Sequence, residues 1–366
     1  MASFLSNFGS AISDNLPSFV ASIVGAGAVT EDSVVGYSLD QNEDHRPTQE
    51  DEVTAILRYP ASLPVPPAST STEAMAAPLW RRSSYQSYLA VYDGHGGSTA
   101  SGICCAEMPG ILSGLLPPPT TTATIATGES SLKSTVPSSY ELMSTGSTTS
   151  TTSVTTASTV DEGAVESGTS VSSSIIEAYQ KTDELLNQVD PDCGTTVAQC
   201  LIRVEGDGRD AVLYASNVGD SRCVLVKSKN KGKNSGKGGE NFVRLTVDHR
   251  CSNEEEVERI KKADGFVFRN RVSGTLAVTR ALGHRNNKDL ILSLPEVKRV
   301  VLEVEDLAVV VATDGIWDKI KEEEVAEKVE NMRAEGKSPK EVAQDLKNQA
   351  MQRYGRDNIG VVILYL

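Results

Sequence analysis

Short apolar runs punctuate the chain, and several stop at an acidic or glycine-containing stretch. Val53-Thr54-Ala55-Ile56-Leu57 and Tyr88-Leu89-Ala90-Val91-Tyr92 read as strands, the second stopping at Asp93. Further strands are predicted over Thr196–Val204, Ala211–Ala215, Cys223–Val226, Val297–Val304, Leu307–Ala312 and Ile359–Leu366. Helical spacing predicts Thr99–Leu116, closed by Pro117-Pro118-Pro119, and Ile175–Val189, with Ile176, Tyr179, Leu185 and Leu186 apolar. Glu254–Ala263, Glu322–Arg333 and Pro339–Arg353 complete the helices. Strands in runs with clustered helices, rather than strict alternation, predict an α+β fold of antiparallel sheets covered by helices. The first and last of these strands both border candidate site residues, so the two should lie side by side.

Two stretches interrupt this pattern. Residues 60–78 are rich in Pro, Ala, Ser and Thr and read as an extended loop. From Thr120 to Ser174 Ser and Thr dominate and large apolar residues are sparse. Such a tract cannot bury enough surface to offset its ordering entropy, so it is expected to be a disordered insertion in one domain spanning residues 35–366. Residues 1–34 are expected to be a tail or extra segment. Lys227–Gly239 is expected to be a basic loop joining two hairpin strands.

The formal charge of −14 disfavours a nucleic-acid partner and is compatible with gathering divalent cations. Six cysteines without a CxxC pair disfavour a disulfide framework or zinc site and point to a reducing compartment, cytoplasm or nucleus. No Lys or Arg precedes Arg46, so a secretory or mitochondrial leader is disfavoured, and no run is long enough to span a bilayer. Gly25-Ala26-Gly27-Ala28-Val29-Thr30 lacks the last glycine of a dinucleotide fingerprint, and 232–239 resembles a P-loop in composition only.

The candidate chemistry lies in acidic motifs spread along the chain: Arg46-Pro47-Thr48-Gln49-Glu50-Asp51, Asp93-Gly94-His95-Gly96-Gly97, Asn217-Val218-Gly219-Asp220-Ser221-Arg222, Asp314-Gly315-Ile316-Trp317-Asp318 and Asp357-Asn358. Several carboxylates meeting at strand ends repel one another unless a cation holds them. Oxygen ligands without a Cys/His cluster favour a hard ion, Mg²⁺ or Mn²⁺. Each Asp alone could be a turn residue.

Together these motifs resemble the metal-dependent protein phosphatases of type 2C. Gly194-Thr195-Thr196-Val197-Ala198, Leu245-Thr246-Val247-Asp248-His249 and Arg271-Val272-Ser273-Gly274-Thr275-Leu276-Ala277-Val278-Thr279-Arg280-Ala281-Leu282-Gly283 extend the resemblance from about Val35 to Leu366. It implies two packed antiparallel β-sheets flanked by α-helices, with two Mg²⁺ or Mn²⁺ ions at one end. It implies that Asp93 bridges the ions, that the Gly94 carbonyl binds one, and that Asp314 and Asp357 are ligands. Glu50 and Asp51 match an acidic pair acting partly through metal-bound water, and Asp220 and Asp318 match positions linked to a third, weaker ion. The Arg-x-x-x-Glu-Asp spacing selects Arg46, Glu50 and Asp51 over Glu43-Asp44, because only that register supplies a phosphate-binding arginine. The implied reaction is hydrolysis of phosphoserine and phosphothreonine by metal-activated water. Arg46 would hold phosphate oxygens and His95 would protonate the leaving oxygen.

The implied partners are phosphorylated proteins, met by a monomer. The wording from Asn42 to Glu52 is most similar to fungal members acting on MAP-kinase pathways. The other reading is a pseudophosphatase or signalling scaffold on the same fold. The chain departs from the family at Gly283-His284, where Gly-Asp is usual, and at Asp264, where Gly is common. His249 is expected to orient local backbone.

Overall fold

The computed structural model describes residues 34–43, 45–57, 86–117, 170–205, 210–229 and 241–366. The expected tail at 1–34 except Val34, the loop at 60–78, most of the Ser/Thr tract and most of the basic loop lie outside them. Fourteen strands appear: β1 (Val35–Asp40), β2 (Asp51–Ile56), β3 (Ser87–His95), β4 (Gly194–Thr195), β5 (Val197–Glu205), β6 (Asp210–Val218), β7 (Arg222–Lys227), β8 (Phe242–Arg244), β9 (Val267–Phe268), β10 (Arg271–Val272), β11 (Leu282–Gly283), β12 (Glu296–Val301), β13 (Asp306–Ala312) and β14 (Ile359–Tyr365). The helices are α1 (Thr99–Leu115), α2 (Val171–Leu186), α3 (Glu254–Lys262), α4 (Asp314–Trp317), α5 (Glu322–Ala334) and α6 (Pro339–Gln352).

One sheet runs β1-β14-β13-β7-β8 and the other β11-β4-β3-β5-β6-β12, with β2 also on β3. Every pairing between these strands is antiparallel. The runs are apolar throughout because both faces are buried. On β3, Leu89 and Val91 turn inward to meet Val309, Val311, Val362 and Leu364 of the facing sheet. Tyr88, Ala90 and Tyr92 turn outward onto α1 and α2. On β14, Val362 and Leu364 face the other sheet, while Ile359, Val361 and Ile363 face α5 and α6. Period-two alternation thus sorts one continuous run into two cores, giving helix, sheet, sheet, helix layers.

The helices follow from the same sorting. Ala100, Cys104, Met108 and Leu112 recur at four-residue spacing on α1 and are all fully buried. Helix α6 opens with a reciprocal Ser338–Glu341 capping box and Pro339 at its first turn. Helix α2 begins four residues before the expected Ile175. Ser170 caps it by accepting the Ser173 N–H at 3.1 Å, and Val171 and Ser174 are buried. The expected insertion therefore ends too late: its last residues are a cap and a first turn, which serine-rich composition concealed.

Three further differences matter for the site. Strand β1, absent from the pattern reading, pairs along its full length with β14, so the two ends of this unit are neighbours. Strand β3 does not stop at Asp93, where its pairing with β2 ends, but continues to His95, because β4 pairs with Gly94 and His95. Asp264 adopts a positive φ of 57°, the conformation a glycine supplies without strain. Among the described residues no helix is long and apolar enough to cross a membrane.

Candidate metal centre

The sheets bring five separated segments to one end of the sandwich. In the β2–β3 ladder Asp51 lies directly opposite Asp93. The next residue must be small: the Gly94 N–H donates to Glu50 O at 3.1 Å, and the Ser101 hydroxyl donates to the same oxygen at 2.5 Å. A Cβ on Gly94 would lie 2.5 Å from Glu50 O, so only glycine lets β3 pass the Glu50 segment this closely.

Asp220 sits in the β6–β7 turn behind Gly219, whose φ is +96°. His249 clamps that turn: its Nδ1 accepts the Gly219 N–H at 3.2 Å, and its own N–H donates to Gly219 O at 2.9 Å. Asp314 is the first residue of α4, separated from the end of β13 only by Thr313. Before it, Thr313 donates its hydroxyl to Asp51 Oδ2 at 2.8 Å and accepts the Gly360 N–H at 3.0 Å, tying Asp51 to both neighbouring segments.

Asn358 brackets the remaining loop. Its amide donates to Gln41 O at 2.7 Å and Thr48 O at 3.1 Å, and its Oδ1 accepts the Glu50 N–H at 3.0 Å. Asn42 reaches back to Gly355 O at 2.8 Å. The loop so held carries Arg46, whose guanidinium pairs with Asp357 and also donates to Arg356 O at 3.2 Å. The Asp357 pair and its neighbours hold Arg46 protonated against the effect of burial.

Carboxylate oxygens of Asp93, Asp220 and Asp314 lie within 4.8 Å of one another. Burial first, then the neighbouring carboxylates, pushes Asp93 and Asp314 well above the usual range. Asp51 is pushed up to about 7, chiefly by burial, with the Thr313 hydrogen bond opposing. Asp220 is also raised by burial, although the adjacent Arg250 pulls it down. The cluster thus carries more negative charge than its surroundings offset. An all-oxygen donor set of this density fits a hard divalent cation, with Asp93, Asp220 and Asp314 as the closest ligands and Asp51 beside them. Asp357 stands off in its pair with Arg46, and Asp318 joins only through Arg250. The Glu50 side chain accepts the Thr48 hydroxyl at 2.9 Å.

Motif reading passed over Arg250. Its guanidinium spans three carboxylates: Nε to Asp220 at 2.6 Å, Nη2 to Asp314 at 2.9 Å and Nη1 to Asp318 at 3.1 Å. The only sequence signal was a basic residue directly after Asp248-His249.

His95 stands at the end of β3, its Nδ1 3.3 Å from Asp93 O. Its ring stacks on His284, the residue that departs from the resemblance, with centroids 4.5 Å apart and planes at 24°. Burial lowers His95, and burial together with His95 and Lys288 lowers His284 to about 3, so the stack is neutral. Nε2 of each ring is buried without a hydrogen-bond partner among the described residues. His284 has a φ of 51°, and Gly194 leaves room for its ring: a Cβ there would lie 2.4 Å from His284 Cδ2.

A protein-family model for protein phosphatase 2C matches residues 68–359, well over half the chain. The match starts after Arg46, Glu50 and Asp51. Among curated proteins, the chain is 31% identical over 202 residues to protein phosphatase 2C homolog 1 of Saccharomyces cerevisiae, covering 52% of this chain and 66% of that one. It is 34% identical over 175 residues to protein phosphatase 2C homolog 1 of Schizosaccharomyces pombe, covering 48% and 46%. The matched stretches thus span about half to two-thirds of those relatives. Among solved structures, serine-threonine phosphatase 2C from Toxoplasma gondii superposes with a TM-score of 0.59 at 17% identity, covering 90% of this chain and 94% of that one. A C. elegans sex determining protein gives 0.59 at 21% identity, covering 91% and 65%. These likenesses establish the shared α+β sandwich.

Proposed function

Because the chain belongs to the protein phosphatase 2C family, we propose that it hydrolyses phosphoserine and phosphothreonine in protein substrates with the help of divalent cations. The observation that carries this reading is the trio Asp93, Asp220 and Asp314, whose oxygens converge within 4.8 Å at the end of the sandwich. Two Mg²⁺ or Mn²⁺ ions, when bound, would activate water and offset phosphate charge. Asp93, Asp51, Asp314 and Asp357 would hold them together with the Gly94 carbonyl, Glu50 would act at one remove, and Asp220 with Asp318 would serve a third.

The chain's own residues supply the rest. Arg46 has a planar fork suited to two phosphate oxygens, and it sits 43% exposed, so a phosphate can compete with Asp357 for it. A serine or threonine alkoxide is a poor leaving group and needs a proton. On this reading His95 delivers it as the imidazolium: Nδ1–H is held by the Asp93 carbonyl, and the neutral ring must first take up a proton at Nε2, which has no hydrogen-bond partner among the described residues. His284 braces the face of that ring.

The substrates on this reading are phosphoproteins, and the narrower assignment to MAP-kinase pathway components rests on the wording from Asn42 to Glu52. Six free cysteines suit a reducing compartment, cytoplasm or nucleus. The test is phosphate release from a phosphothreonine peptide by the purified chain. Turnover should require added Mg²⁺ or Mn²⁺, stop with chelator and resist okadaic acid; full turnover in excess chelator would end the metal-centred reading.

A further inference from the structure

We propose that Arg250 is a built-in cation that occupies the Asp220–Asp314–Asp318 end of the cluster, and that a divalent ion can enter there only by displacing it. The proposal rests on the metal-centred reading only in assuming that divalent ions enter the cluster at all.

The geometry is that of a filled site. One guanidinium donates to three carboxylates that come from a hairpin turn, the first residue of a helix and that helix's end. It uses Nε, Nη1 and Nη2, so each arm of the planar group has its own acceptor. The three acids in turn face the guanidinium's positive charge from three sides. A divalent ion placed between Asp220 and Asp314 would meet that positive charge at close range, and like charges so close in a partly dry site repel strongly. The ion and the guanidinium are therefore alternatives.

The backbone around Arg250 allows the exchange. His249 is fixed by Gly219, and the Thr279 N–H donates to His249 O at 2.8 Å. The Asn253 N–H donates to Arg250 O at 2.9 Å, and Arg250 bridges to Val278 across the chain. The main chain is thus pinned on both sides. The side chain is 27% exposed at the mouth of the cluster and can swing into water without unfolding anything. Asp93 and Asp51 make no ion pair with Arg250 among the described residues, so ions held chiefly by those two compete with it least, through Asp314 alone. Arg250 would then set a concentration threshold for the third ion, and ions held chiefly by Asp93 and Asp51 would feel it less. Before any ion arrives, the same contacts hold the Asp220 turn and α4 together.

The experiment is Mn²⁺ titration of the chelator-stripped full chain, counting bound ions by equilibrium dialysis and following the thermal midpoint. Wild type is compared with Arg250→Gln and Arg250→Lys. The glutamine variant should melt earlier than wild type without metal and bind its weakest Mn²⁺ at least tenfold more tightly, while its tighter ions gain less. Lysine keeps the charge but meets fewer of the acids, so it should fold well and fall between the two. Should Arg250→Gln prove too unstable to strip of metal, the lysine variant alone decides: tighter weak-site binding supports the exchange, and unchanged or weaker binding overturns it. If wild type binds Mn²⁺ and neither variant tightens it, Arg250 is no competitor and this inference fails alone. If no chain binds Mn²⁺, the metal-centred reading fails with it.

Discussion

Asp93 is buried among Asp51, Asp220, Asp314 and Asp357, while the two nearest arginines are engaged elsewhere: Arg46 by Asp357, and Arg250 by Asp220, Asp314 and Asp318. Removing one of these charges should relieve repulsion in the metal-free chain even as it removes a ligand. Asp314→Asn is expected to leave the metal-free chain folded, by circular dichroism, and to lower phosphopeptide turnover by roughly a hundredfold or more. A variant that is unfolded, or fully active with metal, contradicts the assignment. His95 makes a different prediction. At saturating Mn²⁺, His95→Gln should slow a phosphothreonine peptide far more than p-nitrophenyl phosphate, whose leaving group departs without a proton. Equal losses would assign His95 to organising the site and not to proton donation. This part of the site was only half legible in the chain. Asp93, Asp220 and Asp314 stood out because each lies in a short motif of fixed spacing. Arg250 did not, because its three partners lie 30, 64 and 68 residues away. Nor did sequence reveal that His284 packs on His95, since that contact depends on a turn in the left-handed conformation and on the space at Gly194.

Helix α3 illustrates how a charged element is secured. Glu256 is nearly fully buried, yet Arg280, Thr279 and Arg259 overcome the cost of burial and hold its carboxyl down to about 2. A carboxylate with a folded pKa below its unfolded one contributes stability that is complete above the unfolded value near 4.5 and is lost as pH falls toward about 2. Urea unfolding at pH 7 should show Glu256→Gln destabilised by about 3 kcal/mol, because Arg259 and Arg280 are left without their partner. The gap to wild type should narrow between about pH 4.5 and pH 2, and a constant gap would show that packing, not charge, is lost. Helices α1 and α2 carry a second prediction. Ser174 donates its hydroxyl to Leu115 O at 2.8 Å, so the two helix ends that flank the Ser/Thr tract already touch. We propose that replacing residues 122–168 by a short Gly/Ser linker changes stability by no more than about 1 kcal/mol, since loop-closure entropy varies slowly with length. Loss of a cooperative melt in the excised chain would show that the tract belongs to the core. Helices and long strands were legible because their apolar spacing is local. Two-residue strands such as β4 and β11 were not, because only their partners define them.

At the scale of the whole molecule, two sheets packed face to face hold segments 262 residues apart, so that Asp51 and Thr313 share a hydrogen bond between the sheets. That shared end concentrates negative charge on an already acidic chain, and binding of cations there should stabilise the folded state as a unit. The architecture was legible because continuous apolar runs with helices in clusters admit few arrangements; the ladder of β1 on β14 was not, because Val35–Asp40 alternates too weakly to announce a strand. The most direct measurement is anomalous diffraction from crystals of the chain grown with Mn²⁺. Two strong Mn peaks that share the Asp93 carboxylate, with Asp314 on one of them, are the result this account predicts. Manganese absent from the cluster, or bound only at sites away from Asp93 while Asp93 stays among the other carboxylates, would contradict it.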